Sequence, residues 1–399
     1  MEIPSGVFHF TRLEEVVFGA GAVREIGAAM DRRDLRRAVI VTGKTLGASA
    51  LLGKVTDALG TRCAAVFKEA AQHVPAPTVR ALAAEMRRVD ADTVVSFGGG
   101  SPIDTAKVAI ASVINDRDMT LEGGALDWRK AHLPMPNANP FHIAIPTTLS
   151  AGEYTAGGGV TSEVTGKKAG VIDPRLQPRL VINDPTLTMA TPEWLWVSTG
   201  IRALDHAVEA SYAPRHQIFT DMLAAKSIAL MTAHLPQSIT TTGDARLYHR
   251  GHCQTAAWLS LYGMSDIGLG VSHAIGHKIG PTWNVPHGYT SCITLPTAMR
   301  FMAERAPQRF APIAEGLGIA FDPANPHPAA LQCADRVDRF IAGFDVPHSL
   351  KEAGVPHGEI QKIAEPAAEE INFARALERP ITLDEVRLLI DAVWERRAA

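Results

Sequence analysis

Four histidines and one arginine carry most of the side-chain chemistry available to this sequence. His273 and His277 stand four apart in GVSHAIGHKIGPTWNVPHG (270–288). That spacing places both imidazoles on one helix face, and His287 follows a Gly- and Pro-containing turn able to fold it back toward them. In GIRALDHAVEA (200–210), His206 follows Arg202 by four residues, so a guanidinium and an imidazole share a face of a segment that otherwise reads as buried. An imidazole ligates metals and moves protons near neutral pH; a guanidinium is always charged and only donates. One His on an apolar helix face is ordinarily a satisfied core residue, so it is the convergence of four that points to a site. Asp205, adjacent to His206, is expected to point elsewhere on the helix. His249 and His252 also share a face, but RLYHRGHCQ around them is polar and reads as surface.

A second motif makes its chemistry from backbone. In SFGGGSPIDTAK (96–107), Gly98, Gly99 and Gly100 follow a buried strand and allow close approach of a ligand. Ser101, Pro102 and Asp104 are placed as N-cap, N1 and N3 of the next helix, so free N–H groups and the helix dipole would face one spot. That is an anion site, most naturally for a pyrophosphate; the bland alternative is a tight strand-to-helix turn with no ligand. The spacing is not GxGxxG, and no acidic residue about 20 positions on reinforces a Rossmann reading.

The elements that must hold these motifs divide in two. AVIVTG (38–43), TVVSFGGG (93–100) and HIAIPTT (142–148) are apolar strand candidates separated by helical patterns, which implies a parallel sheet covered by helices. GVTSEVTGKKAGVIDPRLQPRLVIND (159–184) reads as hairpin or edge structure punctuated by prolines. Beyond Asp184 strand signals nearly vanish. Thr191 and Pro192 look like N-cap and N1 of a helix, and FTDMLAAKSIALM (219–231) and HCQTAAWLSLYGM (252–264) continue the helical pattern. The expected organisation is an α/β dinucleotide-binding domain at 1–185 and an all-helical catalytic domain at 186–399. The polar, proline-bearing loop 115–140, with Trp128, Arg129 and Lys130, is either a shaper of substrate access or a solvated insertion.

Composition bounds the function. With 399 residues, 46% hydrophobic, 20% charged and a net charge of −3 without charge blocks, the chain reads as globular, and neither nucleic acid nor an anionic membrane is its expected partner. Four scattered cysteines, Cys63, Cys253, Cys292 and Cys333, exclude a zinc knuckle and fit a reducing compartment. No basic leader or long apolar run is visible, so cytoplasmic location is the expectation.

In order and spacing, FGGGSPIDTAK, IPTTLSAGEYT, the GxxALxHAxE frame of GIRALDHAVEA and HAIGHKIGPTWNVPHG resemble the iron-containing (group III) alcohol dehydrogenases, relatives of glycerol dehydrogenase and dehydroquinate synthase. The resemblance runs from VVFGAGAV (16–23) to VPHSLKEAGV (346–355). It implies an iron-type alcohol dehydrogenase fold, a nicotinamide dinucleotide (NADH or NADPH), an active site between the two domains and a homodimer. It also implies that Gly98, Gly99, Gly100 and Ser101 hold the pyrophosphate, that Asp104 lies near the nicotinamide, and that Thr147, Thr148 and Lys168 line the cofactor groove. Family members preferring NAD often carry an Asp after the first strand of the sheet. Here Gly43, Lys44 and Thr45 stand there, which removes repulsion toward a 2′-phosphate and adds a cation, so NADPH should be tolerated.

One departure is decisive for the expectation. Metal-dependent members ligate iron or zinc through an Asp and three histidines matching His206, His273 and His287; the Asp position is Arg202. Its charge opposes a divalent cation by on the order of 4 kcal/mol per charge pair at an effective dielectric of 20, so no catalytic metal is expected. KKAGVIDPRLQPRLVINDPTLT (167–188) and PTTLSAGEYT resemble the maleylacetate reductase branch, which commonly has Asn at the position of Arg202. The resulting expectation is a metal-independent NAD(P)H-dependent reductase of a carboxylated unsaturated ketone, maleylacetate to 3-oxoadipate, with His277 as proton donor. Arg202 and protonated histidines would stabilise the developing charge and attract a carboxylate, and His206, His273 and His287 would bind or orient substrate oxygen. The alternatives are an iron- or zinc-dependent alcohol dehydrogenase, a lyase that recycles bound NAD, and a non-catalytic nucleotide-binding protein. In a further alternative, Arg202 simply ion-pairs with Glu209 or another acid.

Overall fold

The computed structural model describes residues 8–116, 118–120, 140–163, 168–262, 267–268 and 270–395. Loop residues 121–139, including Trp128, Arg129 and Lys130, lie outside them. The chain divides into two compact units, one spanning Phe10–Thr191 and the other built mainly from Pro192 onward.

The first unit is an α/β domain. Its strands are β1 (Glu15–Phe18), β2 (Ala38–Val41), β3 (Cys63–Phe67), β4 (Thr93–Gly98), β5 (Phe141–Pro146), β6 (Gly157–Thr161), β7 (Lys168–Ile172) and β8 (Leu180–Asn183). Six form a wholly parallel sheet in the order β1-β8-β5-β4-β2-β3. Period-two alternation explains how both faces are covered. Ile40, Val95, Phe97, Ile143 and Ile182 pack on one side with α1 (Ile26–Asp31) and α3 (Ala50–Leu59). Val39, Val41 and Val94 face α4 (Ala76–Arg88) and α5 (Gly100–Ile114) on the other. Between them, after β2, lies the short α2 (Lys44–Gly47).

Two sequence expectations are corrected here. β8 is no edge element: it is flanked by β1 and β5, and its bounding prolines 178 and 185 stand just outside it, where no ladder N–H is needed. Only β6 and β7 form the antiparallel hairpin. Helix α5 begins at Gly100 with extended Gly99 as its cap, so Ser101, Pro102 and Asp104 do not serve as N-cap, N1 and N3. Pro102 is tolerated because a first-turn residue needs no intrahelical N–H donor. Asp184, buried after β8, accepts from the backbone N–H of Gly21 and Val23 at 3.0 and 3.2 Å and fastens the chain start of this unit to the sheet.

Among the described residues the second unit contains helices and no strand. It comprises α6 (Glu193–Tyr212), α7 (Ile218–His234), α8 (Gln237–Thr240), α9 (Gly243–Leu261), α10 (Val271–Trp283), α11 (His287–Arg305), α12 (Ala311–Leu317), α13 (His327–Ala342), α14 (Ala364–Phe373) and α15 (Leu383–Trp394). Helix α6 is capped by Pro192 rather than Thr191, whose hydroxyl donates to Thr147 O at 2.7 Å instead. From Trp196 to Tyr212 every residue of α6 is buried, as expected of a helix with packed neighbours on several sides, α7, α9 and α11 among them. No described helix is long and apolar enough to cross a membrane.

Candidate active site: a backbone cradle and an imidazole cluster

In the α/β unit the carboxyl ends of three adjacent strands carry the residues expected to hold a cofactor. Gly43, Lys44 and Thr45 follow β2, Gly98 to Ser101 follow β4, and Thr147 and Thr148 follow β5. β3 is added on one side of β2 and β4 on the other, so the strand order switches between β2 and β4, which is where open α/β sheets bind ligands. Gly98 has φ 143° and a Cβ there would lie 2.9 Å from Pro102 Cγ; one on Gly99 would meet Thr148 Cγ2 at 3.1 Å. Side chains at either position would therefore disturb the turn that aims the first N–H groups of α5. This arrangement of glycines and free helix-start N–H groups fits a dinucleotide pyrophosphate. Lys44 is paired with Glu69 at 3.2 Å, both exposed, so its charge is partly answered before any phosphate arrives. The Asp104 carboxylate accepts from Gly159 N at 3.1 Å, tying α5 to the hairpin. The side chain of Lys168, at the start of β7, lies outside the described residues.

Beneath this cradle is a polar layer that the sequence reading missed. Lys107 is fully buried and donates to Gly152 O, Gly157 O and Thr155 Oγ1 at 2.6, 2.8 and 3.1 Å. Burial lowers its pKa to about 8 against the opposing pull of Asp104 and Glu153. Burial likewise raises Glu153 to about 7, and its Oε2 has no hydrogen-bond partner. The signal was legible only as a Lys at the end of the glycine motif and a Glu in AGEYT.

In the helical unit the four predicted histidines converge. The rings of His206 and His273 stack with centroids 4.8 Å apart, His277 meets His273 edge-on at 6.2 Å, and His287 stacks on His277 at 5.4 Å and 7°. Asn284, with φ 54°, makes the turn between α10 and α11 that brings His287 back. Exposure grades along the series: His206 and His273 are buried, His277 is half-buried and His287 is exposed. Close helix approach sets the geometry. A Cβ on Gly288 would lie 2.6 Å from Ser198 Oγ of α6, and one on Gly276 would lie 2.8 Å from Thr290 Oγ1 of α11.

Arg202 is 6% exposed and donates from Nη1 to Ser291 Oγ at 3.2 Å. Among the described residues it forms no ion pair, which sets aside a direct bridge to Glu209. It stays charged at neutral pH even though burial lowers its pKa to about 10. Burial first, then the charge of Arg202 and the neighbouring rings, pushes His206 and His273 well below the ordinary imidazole range. Burial therefore favours the neutral form of both, so the protonated histidines expected from the sequence are not these two.

Asp205 also corrects an expectation. Three residues beyond Arg202 is close to a full helical turn, so it shares the buried face. Its Oδ2 accepts from Ser272 Oγ at 2.9 Å and lies 3.4 Å from His273 Nδ1. Glu209, one turn further, accepts from Gly270 N and Ser272 N at 2.8 and 2.6 Å and bonds His273 Nδ1 at 2.6 Å. Burial raises both carboxyls, Asp205 well above its ordinary range and Glu209 to about 7, where backbone N–H donors from Ser272, Gly270 and His273 oppose the rise. With Glu209 ionised, His273 donates Nδ1–H to it, which leaves a buried Nε2 with no hydrogen-bond partner as an acceptor. His277 Nδ1 bonds Glu370 Oε1 at 2.6 Å, and Lys278 bonds the same carboxylate at 2.5 Å. Burial raises Glu370, but those two donors hold it below the ordinary range. Nothing in the sequence singled out Glu370, which arrives from α14, 93 residues away.

The residues were tested against the metal that the iron-containing family carries. Asp205, Glu209 and His273 offer ligand atoms within 4.8 Å of one another. Both Glu209 oxygens, however, are engaged by backbone N–H, and the His273 nitrogen on that side bears the proton that Glu209 accepts. The other route, through the unpartnered His206 Nδ1 and His273 Nε2, meets a guanidinium where the carboxylate ligand should be. The donor set does not fit the family's carboxylate-and-three-histidine site.

Residues 14–185 match the family described as Iron-containing alcohol dehydrogenase, and 196–394 match Fe-containing alcohol dehydrogenase family, C-terminal. Maleylacetate reductase of Burkholderia cepacia is 30% identical over 384 residues, covering 96% of each chain. The chain belongs to the iron-containing alcohol dehydrogenase family. Lactaldehyde reductase of Escherichia coli (strain K12) is 28% identical over 390 residues, 96% of this chain and 98% of that one. The crystal structure of maleylacetate reductase from Agrobacterium tumefaciens superposes with a TM-score of 0.79 at 25% identity, with all of both chains covered. As a family member resembling the maleylacetate reductase branch, the protein is an NAD(P)-dependent oxidoreductase.

Proposed function

We propose that this family member reduces a small unsaturated keto diacid of the maleylacetate type with NADH or NADPH and without a catalytic metal. The observation that carries this reading is the buried, charged Arg202 beside neutral His206 and His273. In that surrounding of low polarity, a guanidinium binds a carboxylate strongly and stabilises an oxyanion as it develops. NAD(P)H held at the β2, β4 and β5 strand ends would supply the hydride. Hydride addition to the carbon-carbon double bond leaves an enolate whose oxygen Arg202 neutralises. His277, held at Nδ1 by Glu370, has Nε2 as the end that returns a proton to carbon. With Nε2 as an acceptor, His273 lines the site beside Arg202 rather than binding a substrate carboxylate, and His206 and His287 orient the substrate. The likeness to maleylacetate reductase of Burkholderia cepacia supports the substrate class.

A second reading is a metal-dependent alcohol or aldehyde oxidoreductase, as the lactaldehyde reductase relative would suggest. It is favoured by the two unpartnered buried nitrogens of His206 and His273. One experiment separates the readings: NADH and NADPH oxidation by keto diacids, aldehydes and ketones, with metal content measured on the same chelator-treated sample. Turnover of the unsaturated keto diacid by metal-free protein supports the proposal; turnover only of aldehydes or alcohols, and only after iron or zinc is added, overturns it. Homodimeric assembly and cytoplasmic location belong to the same proposal, the first checked by light scattering.

A further inference from the structure

A second group of imidazoles lies on other helices of the same unit. His234 is the last residue of α7, and His249 and His252 are three apart on α9, which packs along α7. All three are half-buried, so they are neither the surface pair the sequence implied nor core residues. His234 Nδ1 and His249 Nδ1 face each other at 2.8 Å. The rings of His234 and His252 stack with centroids 4.3 Å apart and 15° between planes. Exposed Tyr248 closes the side, its ring 4.4 Å from His252 and 5.2 Å from His249.

We propose that His234, His249 and His252 form a peripheral binding site for a borderline divalent transition-metal ion of the zinc type, distinct from the cluster that contains Arg202. Two imidazole nitrogens with lone pairs face to face repel unless a proton or a cation lies between them. A tetrahedral zinc with bonds of about 2.0 Å holds its nitrogen ligands roughly 3.3 Å apart. The 2.8 Å separation of His234 Nδ1 and His249 Nδ1 therefore needs to open by only about half an ångström. His252, one helical turn from His249, supplies the third nitrogen by rotating out of its stack on His234. Three imidazole nitrogens with no carboxylate favour zinc, nickel or cobalt over magnesium or calcium, which select oxygen. Among the described residues none of the three rings forms an ion pair with an acid. Water would take the fourth position, on the exposed side. Because the ligands come from two helices, the ion would bridge α7 to α9.

The test uses the full chain, stripped by chelator and titrated with zinc alone, then nickel alone, against a chromophoric competitor. Wild type, the double variant His249→Gln with His252→Gln, the single variant His234→Asn, and His273→Ala in the other cluster are compared. The expected result is one equivalent bound by wild type and by His273→Ala, with affinity more than about tenfold weaker in the double variant. Zinc should also raise the thermal midpoint of wild type and not of the double variant, as it would for a ligand bound only by the folded state. NAD(P)H oxidation should be the same in the double variant as in wild type. Equal zinc affinity in wild type and the double variant overturns the proposal, as does loss of the equivalent in His273→Ala alone. If the double variant does not fold, as judged by metal-free thermal melting, His234→Asn decides by the same criteria.

Discussion

The proposed cofactor cradle and the proposed catalytic cluster are built from opposite materials. At the ends of β2, β4 and β5 the working groups are backbone N–H groups exposed by glycines, and side chains chiefly keep out of the way. In the helical unit the working groups are side chains, and the backbone serves them: Gly270 N and Ser272 N fix Glu209, which fixes the tautomer of His273. A backbone site tolerates change in what surrounds it as long as the turn survives. A side-chain site can be converted by one substitution, and in the proposed function Arg202 in place of a carboxylate is such a conversion.

The sharpest way to break this contrast is Arg202→Asp. Metal-free turnover of the keto diacid should fall about 10²- to 10³-fold, as when a principal oxyanion donor is removed, and bound iron or zinc should rise toward stoichiometric in the same preparation. Retained metal-free activity would remove Arg202 from the mechanism. Next is Glu209→Ala, which strands Gly270 N, Ser272 N and His273 Nδ1 inside the protein. Destabilisation of about 3 kcal/mol or more is expected, read from urea unfolding. A cost near zero would mean that the cluster is not held as described.

A third prediction concerns the buried layer under the cradle and its pH dependence. Burial raises Glu153 from 4.5 to about 7 in the folded chain, so the native state holds a proton there that the unfolded state releases. Stability should therefore fall as pH rises from about 4.5 to 7, by up to a few kcal/mol from this one group. Lys107, lowered from 10.5 to about 8, has the opposite slope: stability lost to its buried charge is regained as pH climbs from about 8 to 10.5. Glu153→Gln should flatten the acid-side slope and, by removing one of the two negative charges that hold Lys107 up, start the alkaline rise at lower pH, measured as unfolding free energy against pH. The smallest effect is expected at the cradle's rim. Glu69→Gln frees Lys44 from its exposed partner, and the NADPH-to-NADH ratio of kcat/KM should rise two- to five-fold, in keeping with the modest worth of a surface pair. An unchanged ratio would place Lys44 away from the 2′-phosphate.

The parallel sheet was legible because its buried strands, AVIVTG, TVVSFGGG and HIAIPTT, are near-continuous apolar runs closing on small residues, a pattern no exposed strand needs. β8 was misread because the prolines near LVIN look the same in sequence whether they bound a central strand or interrupt an edge one. His273, His277 and His287 could be gathered by helical spacing and one turn, since those are local rules, whereas His206, on α6, reaches His273 only through helix packing. Glu370 could not, since it reaches His277 across 93 residues of chain. His234 was missed for the same reason: only the packing of α7 on α9 sets it against His249 and His252.

By itself the sequence determined which groups are available: glycines where backbone must be bare, imidazoles at helical intervals, and a guanidinium where a carboxylate belongs. Tertiary structure decided their states. Burial beside Arg202 makes His206 and His273 neutral, and Glu209, fixed by the start of α10, decides which nitrogen of His273 is left as an acceptor. Spacing along a helix selects neighbours, but solvent exclusion and partners from distant segments set charge and tautomer, and these arise only when the helices pack.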